Sequence, residues 1–114
     1  MNIERELIIS ILKLAKDNSV LHENINKDAK IPSETVRKLL QKLQNEDLVY
    51  LEENKINIDS AQRLNLTVRA IELGADIERV SNFLHWQEFE SMASAAFELT
   101  VYATAKNVRL KNAS

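Results

Sequence analysis

The stretch that decides the fold is Ile31-Pro32-Ser33-Glu34-Thr35-Val36-Arg37-Lys38-Leu39-Leu40, which continues to Leu43 and to Asp47-Leu48-Val49. Apolar residues recur at helical spacing between residues 34 and 46, which predicts an amphipathic helix that ends near Asp47. Pro32 discourages a preceding helix from continuing, and serine at position 33 favours the N-cap. The predicted inner face is Val36, Leu39, Leu40 and Leu43, and the predicted outer row is Thr35, Arg37, Lys38, Gln41 and Lys42.

Two helices are predicted before this stretch. In residues 3–16 the apolar residues recur at the spacing of one face of a helix, and residues 17–19 are typical of a turn. A short second helix is expected over about 20–29, where it buries Leu21 and leaves His22 on the surface. The sequence therefore predicts the order helix, helix, short turn, helix.

A β-hairpin is predicted after the third helix. Residues 48–51 and 55–58 are rich in strand formers, and Glu52-Glu53-Asn54 between them suits a turn. A fourth helix, apolar on two sides, is expected to begin after Asp59-Ser60 and to end at Gly74, a natural C′ residue.

The remaining sequence predicts more helix and one strand. Asp76 is expected to cap a short fifth helix with Ile77, Val80, Phe83 and Leu84 as its apolar residues, and a sixth helix is expected from Trp86 to about Leu99. Residues 101–111 alternate in the manner of a strand. The predicted fold is mainly α.

Composition narrows the class of protein. The chain has 114 residues, 45 % apolar and 28 % charged, with a formal net charge of −2, values that are ordinary for a globular domain. No cysteine is present, which excludes disulfides and thiolate metal sites. An acidic N-terminus and the lack of a long apolar run predict a cytoplasmic protein without a membrane partner. His85 and Glu88 are too few ligands for zinc, so we expect neither a metal nor a cofactor.

The order of elements over residues 3–58 resembles winged helix-turn-helix regulators of transcription. In that family a Ser/Thr-rich start opens the recognition helix, a leucine-spaced inner face follows, and a "G-L-V" segment enters the wing. Asp47-Leu48-Val49 departs from this pattern only in carrying Asp47 in place of glycine. The resemblance implies a three-helix domain with a β-hairpin at 1–59, followed by a helical extension at 60–114.

This resemblance implies duplex DNA as the partner. A recognition helix places its N-terminal residues near base edges in the major groove, where Arg and Gln read guanine and adenine. Residues 27–42 contain five basic and two acidic residues, a local net charge of +3. The acidic wing tip, Glu52-Glu53, leaves a purely protein-binding module open as the alternative. The candidate DNA-binding residues are Ser33, Thr35, Arg37, Lys38, Gln41, Lys42, Lys30 and Lys55.

The second half resembles archaeal proteins that join a winged helix to a restriction-endonuclease-like domain of the Mrr type. Trp86-Gln87-Glu88-Phe89-Glu90 is similar to the "W-x-x-F-E" helix that opens the domain, and residues 106–111 are similar to its "K-N-x-R-x-K" strand. Only Glu90 matches a family carboxylate, and no acid follows Glu98, whereas the chemistry needs several carboxylates around a metal. We therefore expect no catalytic residue and no enzymatic activity in this chain. The chain is expected to be either a fragment of a longer nuclease-like protein or an inactive remnant of one.

A homodimer is the last expectation. The predicted strand at 101–111 has no partner if the wing hairpin is closed on itself, and an open strand edge recruits a second chain. The sixth helix also offers more apolar surface than the fifth helix can cover. A two-fold dimer through these two segments would hide both.

Overall fold

The computed structural model describes residues 2–84. Within this range the chain is mainly helical, as the sequence predicts, with a small antiparallel sheet. The predicted sixth helix, the strand at 101–111 and the dimer contacts, together with Glu90 and His85, lie outside the described residues. The elements are α1 (Ile3–Leu14), β1 (Ser19–Leu21), α2 (His22–Ala29), α3 (Ser33–Asn45), β2 (Tyr50–Glu52), β3 (Lys55–Asn57), α4 (Ser60–Glu72) and α5 (Ile77–Ser81).

The sheet has three strands in the order β1-β3-β2, with β3 in the centre. The predicted hairpin forms, with Leu51 opposite Ile56, but Val20 of β1 pairs with Ile56 from the other side. The expectations of a helix from residue 20 and of a hairpin closed on itself are therefore wrong. The physical reason is the turn at Asn18, whose φ of 71° reverses the chain and whose carbonyl accepts the N–H of Ile58. The turn brings the backbone groups of β1 alongside β3.

Strand geometry also corrects the expectation for Leu21. Successive side chains of a strand point to opposite faces of the sheet. Val20 enters the core, so Leu21 faces outward and is 46 % exposed. Tyr50, which lies on the same outer face, is 61 % exposed.

The turn between α2 and α3 consists of residues 30–32. Lys30 closes α2 in the left-handed region at φ 55°, and Pro32 is the N-cap of α3. Ser33 is the first helical residue, so its prediction as the N-cap is wrong by one position. Its hydroxyl instead accepts a 3.1 Å hydrogen bond from the Asn26 amide, which links α2 to α3.

Helix α1 is the centre of the core. It packs against both α2 and α4. Asp59, the last residue of the expected first domain, caps α4 and forms a reciprocal capping box with Gln62. Elements on both sides of Asp59 nevertheless contribute to one apolar cluster, which includes Leu7, Ile8, Ile11, Leu12, Ile25, Val36, Leu43, Leu66, Ala70 and Val80.

Helix α4 begins and ends close to its predicted bounds, whereas α5 ends at Ser81, before Phe83 and Leu84. Gly74 has a φ of 101° directly after the C-cap of α4, the conformation for which a C′ glycine is suited. Val80 of α5 is buried as expected, but Ile77 is 41 % exposed because it stands at the start of a helix of only five residues. Of the helices in residues 2–84, none has the length and apolar character needed to cross a bilayer.

Candidate nucleic-acid interface

Arg37 and Lys38 lie on the outer face of α3. The apolar residues Val36 and Leu40 turn inward, and this fixes the direction of the two basic side chains. Both are exposed, and neither forms an ion pair within residues 2–84. Two cations on one turn of a helix are thus open to an external anion.

The C-terminal half of the outer row is engaged within the protein. The Lys42 ammonium lies 2.7 Å from a carboxylate oxygen of Glu4 on α1, and this hydrogen bond, with the charge of Glu4, raises the pKa of Lys42. The side-chain amide of Gln41 donates to Asn45 at 3.3 Å. The outer row predicted from the sequence therefore has two parts: Gln41 and Lys42 bond within the protein, whereas Arg37 and Lys38 form no ion pair with the described residues.

The remaining candidates of the α2–α3 region differ in exposure. Lys30 and Ser33 are exposed next to the N-terminus of α3. Thr35 is half-buried, so its expected outward position is only partly correct. The structure keeps Lys30 and Ser33 close to the first turn of α3, where backbone N–H groups lack helical partners.

Some of the acidic side chains around this surface are held by other cations. Asp28 accepts hydrogen bonds from Lys13 at 2.6 Å and from the Ser10 hydroxyl at 2.7 Å, and the lysine contact is the main cause of its lowered pKa. Glu46 pairs with Arg69 at 2.9 Å. Glu34 on the first turn of α3 is exposed and forms no ion pair with the described residues, and the same holds for Glu23, Glu52 and Glu53 near Arg37.

Lys55 lies on the β2–β3 hairpin, on the outer face of the sheet opposite Leu21 and Glu52. The turn beside it is tied to α2, because the backbone N–H of His22 donates a 2.7 Å hydrogen bond to the carbonyl of Asn54. Lys55 thereby lines the same cleft as Arg37 and Gln41, whereas Lys42 points toward α1.

The cleft between α2, α3 and the hairpin has a volume of about 750 Å³. His22 and Asn26 line it, and two of their atoms, His22 Nε2 and Asn26 Oδ1, are buried without a hydrogen-bond partner among the described residues. Burial, and secondly the charge of Arg37, lower the pKa of His22.

Both residues were missed as site residues by the sequence, which predicts His22 on a helix surface. His22 is half-buried because the hairpin folds onto the start of α2, and no local sequence signal reports that contact.

The described part of the chain contains no cluster of three or more His, Asp or Glu side chains that would hold a metal ion. No family model, curated protein or solved structure matches this chain.

Proposed function

We propose that residues 2–59 form a winged helix-turn-helix module that binds duplex DNA, with α3 as the recognition helix and β2–β3 as the wing. The order α1-β1-α2-α3-β2-β3 supports the proposal, as do the three-residue turn before α3 and the hairpin after it. The left-handed φ of 61° at Asp47 also agrees with the glycine of the family pattern.

The observation that carries the proposal is the pair Arg37 and Lys38. Their side chains are exposed near the N-terminal half of α3, the part of a recognition helix that approaches base edges. Arginine donates two hydrogen bonds to guanine, and lysine neutralises a phosphate or contacts guanine. The nearby acids Asp28 and Glu46 are compensated by Lys13 and Arg69. Glu34, on the first turn of α3, has no ion pair among the described residues and offsets one of the two positive charges.

The charge of the whole chain sets the expected behaviour of the complex. A protein with a net charge of −2 gains little from long-range attraction to DNA. Affinity then depends on a few contacts and falls steeply as salt increases, because each neutralised phosphate releases counterions. The module acts as a regulator or as a targeting unit, and it binds DNA without cleaving it.

The test is fluorescence anisotropy of a labelled random duplex at two salt concentrations. The variant Arg37→Ala/Lys38→Ala removes one arginine and one lysine from α3. Lys16→Ala/Arg79→Ala is the matched control, because it removes the same two residue types from exposed positions outside α3 and the wing.

We expect the α3 variant to bind at least about tenfold more weakly, since one base contact contributes about 1–3 kcal/mol. The control is expected to bind like the parent protein. Equal binding by both variants, with unchanged circular dichroism, would show that α3 is not the DNA-binding surface.

A protein-binding module is the second candidate function. The observation that favours it is the outer face of the sheet, where Tyr50 and Leu21 are exposed beside the acidic tip Glu52-Glu53. Apolar side chains rimmed by acids suit a protein surface better than a phosphate backbone. This candidate would be favoured if the protein keeps its function in cells after Arg37 and Lys38 are replaced but loses it in Tyr50→Ser.

A further inference from the structure

The two outer edges of the sheet differ in their hydrogen bonding. At the β2 edge the backbone N–H of Leu51 donates a 2.8 Å hydrogen bond to the side-chain oxygen of Gln44 on α3. At the β1 edge no hydrogen bond of this kind is formed within residues 2–84. An uncovered strand edge can pair with another strand, so β1 is the side of the sheet that can accept one.

The register of β1 shows which backbone groups are open. Asn18 and His22, on either side of β1, bond to backbone groups that flank β3. Backbone groups of an antiparallel strand alternate between its two sides, so those of Ser19 and Leu21 point away from β3. Neither of these two N–H groups has a partner in the described part of the chain, and Leu21 is 46 % exposed. Two donors are therefore available to an added strand.

A groove of about 510 Å³ follows this edge. All three residues of β1 line it, together with Asn24, Lys27 and Asp28, whose spacing places them on one face of α2. Leu14 near the end of α1 and Leu21 add accessible apolar surface. A groove between an open strand and a helix fits an extended peptide, which pairs with the strand while its side chains contact the walls.

The charges of the groove select among extended segments. Lys27 and Lys55 are exposed on it, and neither forms an ion pair within residues 2–84. Asp28 also lines the groove, but Lys13 already binds it at 2.6 Å. Complementary charge favours a partner, so the two lysines favour an acidic segment.

Two further acids stand near these lysines without lining the groove. Glu23 lines the cleft between α2, α3 and the hairpin. Glu52 lies opposite Lys55 in the sheet, but it forms no ion pair with Lys55 and accepts a hydrogen bond from Asn57. These acids reduce the positive potential of the groove and leave its two cations open.

Two segments of the same protein match this charge less well. Residues 101–114 contain Lys106, Arg109 and Lys111 and no acid, so they are positive like the groove. A second copy of β1 would bring another Lys27 and Lys55 to the same edge. Like charges brought together at an interface oppose association.

We propose that the groove between β1 and α2 binds an acidic, extended segment of a partner protein, which adds a strand to the sheet. The backbone of this segment bonds to Ser19 and Leu21. Its acids pair with Lys27 and Lys55, and its apolar side chains contact Leu14. No residue of α3 lines the groove, so the site does not depend on DNA binding, although Lys55 is also a candidate DNA-binding residue.

The experiment is an NMR titration of the ¹⁵N-labelled full chain, without DNA, with the acetylated and amidated peptide TEVEVET. We expect saturable shifts in the amides of Ser19, Leu21 and Lys27, and slower hydrogen exchange at Ser19 and Leu21. Two matched peptides separate the contacts. N-methylation of the third and fourth residues blocks strand pairing on both sides and keeps the charge, whereas TKVKVKT reverses the charge and keeps the strand pattern. Each is expected to bind at least about tenfold more weakly.

Two variants of Leu21 test the strand pairing from the side of the protein. Leu21 has a φ of −75°, a value that proline adopts, and proline is tolerated in an edge strand where its missing N–H would point outward. Leu21→Pro removes the side chain and the open N–H, and Leu21→Ala removes the side chain alone. We expect the peptide to bind at least about tenfold more weakly to Leu21→Pro than to Leu21→Ala, with both variants folded by circular dichroism.

Two pairs of lysine variants test the charge of the groove. Lys27→Gln/Lys55→Gln removes its two cations, and Lys30→Gln/Lys38→Gln removes two from exposed positions that do not line it. Peptide affinity is expected to fall about tenfold in the first pair and to change little in the second.

Several outcomes would overturn the proposal. They are equal binding by Leu21→Pro and Leu21→Ala, equal losses in the two lysine pairs, and no saturable binding of TEVEVET. Exchange protection of the Ser19 and Leu21 amides in the free monomer would instead assign the edge to a segment of the same chain. Shifts of these amides on dilution of the free protein would assign it to a second copy.

Discussion

The guanidinium of Arg63 on α4 donates a 2.8 Å hydrogen bond to the carbonyl oxygen of Ala15, the C-cap residue of α1. The same nitrogen, Nη2, lies 2.7 Å from the side-chain oxygen of Asn18. Arg63 is fully buried, so these contacts form away from solvent. They attach α4 to the turn that directs β1 into the sheet, and they provide a donor for a carbonyl at the end of a helix.

Replacing Arg63 tests the importance of this attachment. We expect Arg63→Met to lower the free energy of unfolding by about 1–3 kcal/mol, because it removes the buried donor shared by the Ala15 carbonyl and the Asn18 side chain and leaves that carbonyl only the N–H of Asn18. Urea denaturation followed by circular dichroism measures the change. Arg79→Met is the control, since Arg79 is exposed on α5. Equal unfolding midpoints for the two variants would contradict this role of Arg63.

Asp47, the residue in the left-handed conformation before the β2–β3 hairpin, gives a second prediction. Asp47 has a φ of 61° and is exposed, so its side chain strains the backbone without packing. We expect Asp47→Gly to retain or raise stability, because glycine adopts this conformation without a steric cost. Asp17→Gly, at an exposed turn residue with negative φ, is expected to lower stability by about 0.4–1 kcal/mol through unfolded-state entropy. Thermal denaturation compares the two, and a larger loss in Asp47→Gly would refute the argument.

The sequence predicts those parts of the fold whose signals are local. The periodic apolar stripe of α1, the capping residue Asp59 and the Gly74 stop define their helices without help from distant residues. Strand β1 is not predicted, because Ser19–Leu21 becomes a strand only when β3 lies beside it. Arg63 is not predicted as a core residue, since its burial depends on acceptors 45 and 48 positions away.

The candidate site also contains some features that the local sequence predicts and others that depend on distant residues. Exposure of Arg37 and Lys38 follows from helical periodicity, and the structure agrees with it. The pairing of Lys42 with Glu4 depends on how α3 packs near α1, which the sequence does not reveal. The cleft with His22 and Asn26 depends on the position of the hairpin against α2.

The difference between Lys38 and Lys42 gives a third prediction. Lys42 is already neutralised by Glu4, so Lys42→Ala is expected to change DNA affinity and its salt dependence little. Lys38→Ala is expected to reduce the salt slope by about 1, the effect of losing one phosphate contact. Anisotropy titrations over a range of salt concentrations measure both slopes. Equal slopes for the two variants would refute the distinction.

Releasing Lys42 gives the converse prediction. Glu4→Gln removes the partner of Lys42, so DNA affinity is expected to rise at low salt. Glu6→Gln, on the same helix, removes an equal charge that pairs with Arg5 and not with α3. The same anisotropy assay decides between them. If both variants raise affinity equally, net charge alone is the cause.

His22 gives the last prediction, a dependence of stability on pH. Burial, and secondly the positive charge of Arg37, lower the pKa of His22 below its ordinary value of 6.5. Between the folded and unfolded pKa values the unfolded chain binds more protons, so stability is complete above pH 6.5 and declines as the pH falls toward the folded pKa. His22→Gln is expected to reduce this decline in thermal denaturation between neutral and mildly acidic pH.

An NMR titration of the imidazole signals measures the pKa of His22 directly, and His22→Gln distinguishes its signals from those of His85. Arg37→Gln is expected to raise the pKa of His22 only partly, because burial is the larger cause and remains in the variant. Lys38→Gln removes the same charge from the next position and is expected to leave the pKa nearly unchanged. A pKa of His22 at or above 6.5 in the folded parent protein would show that the ring is solvated and that the hairpin does not cover it.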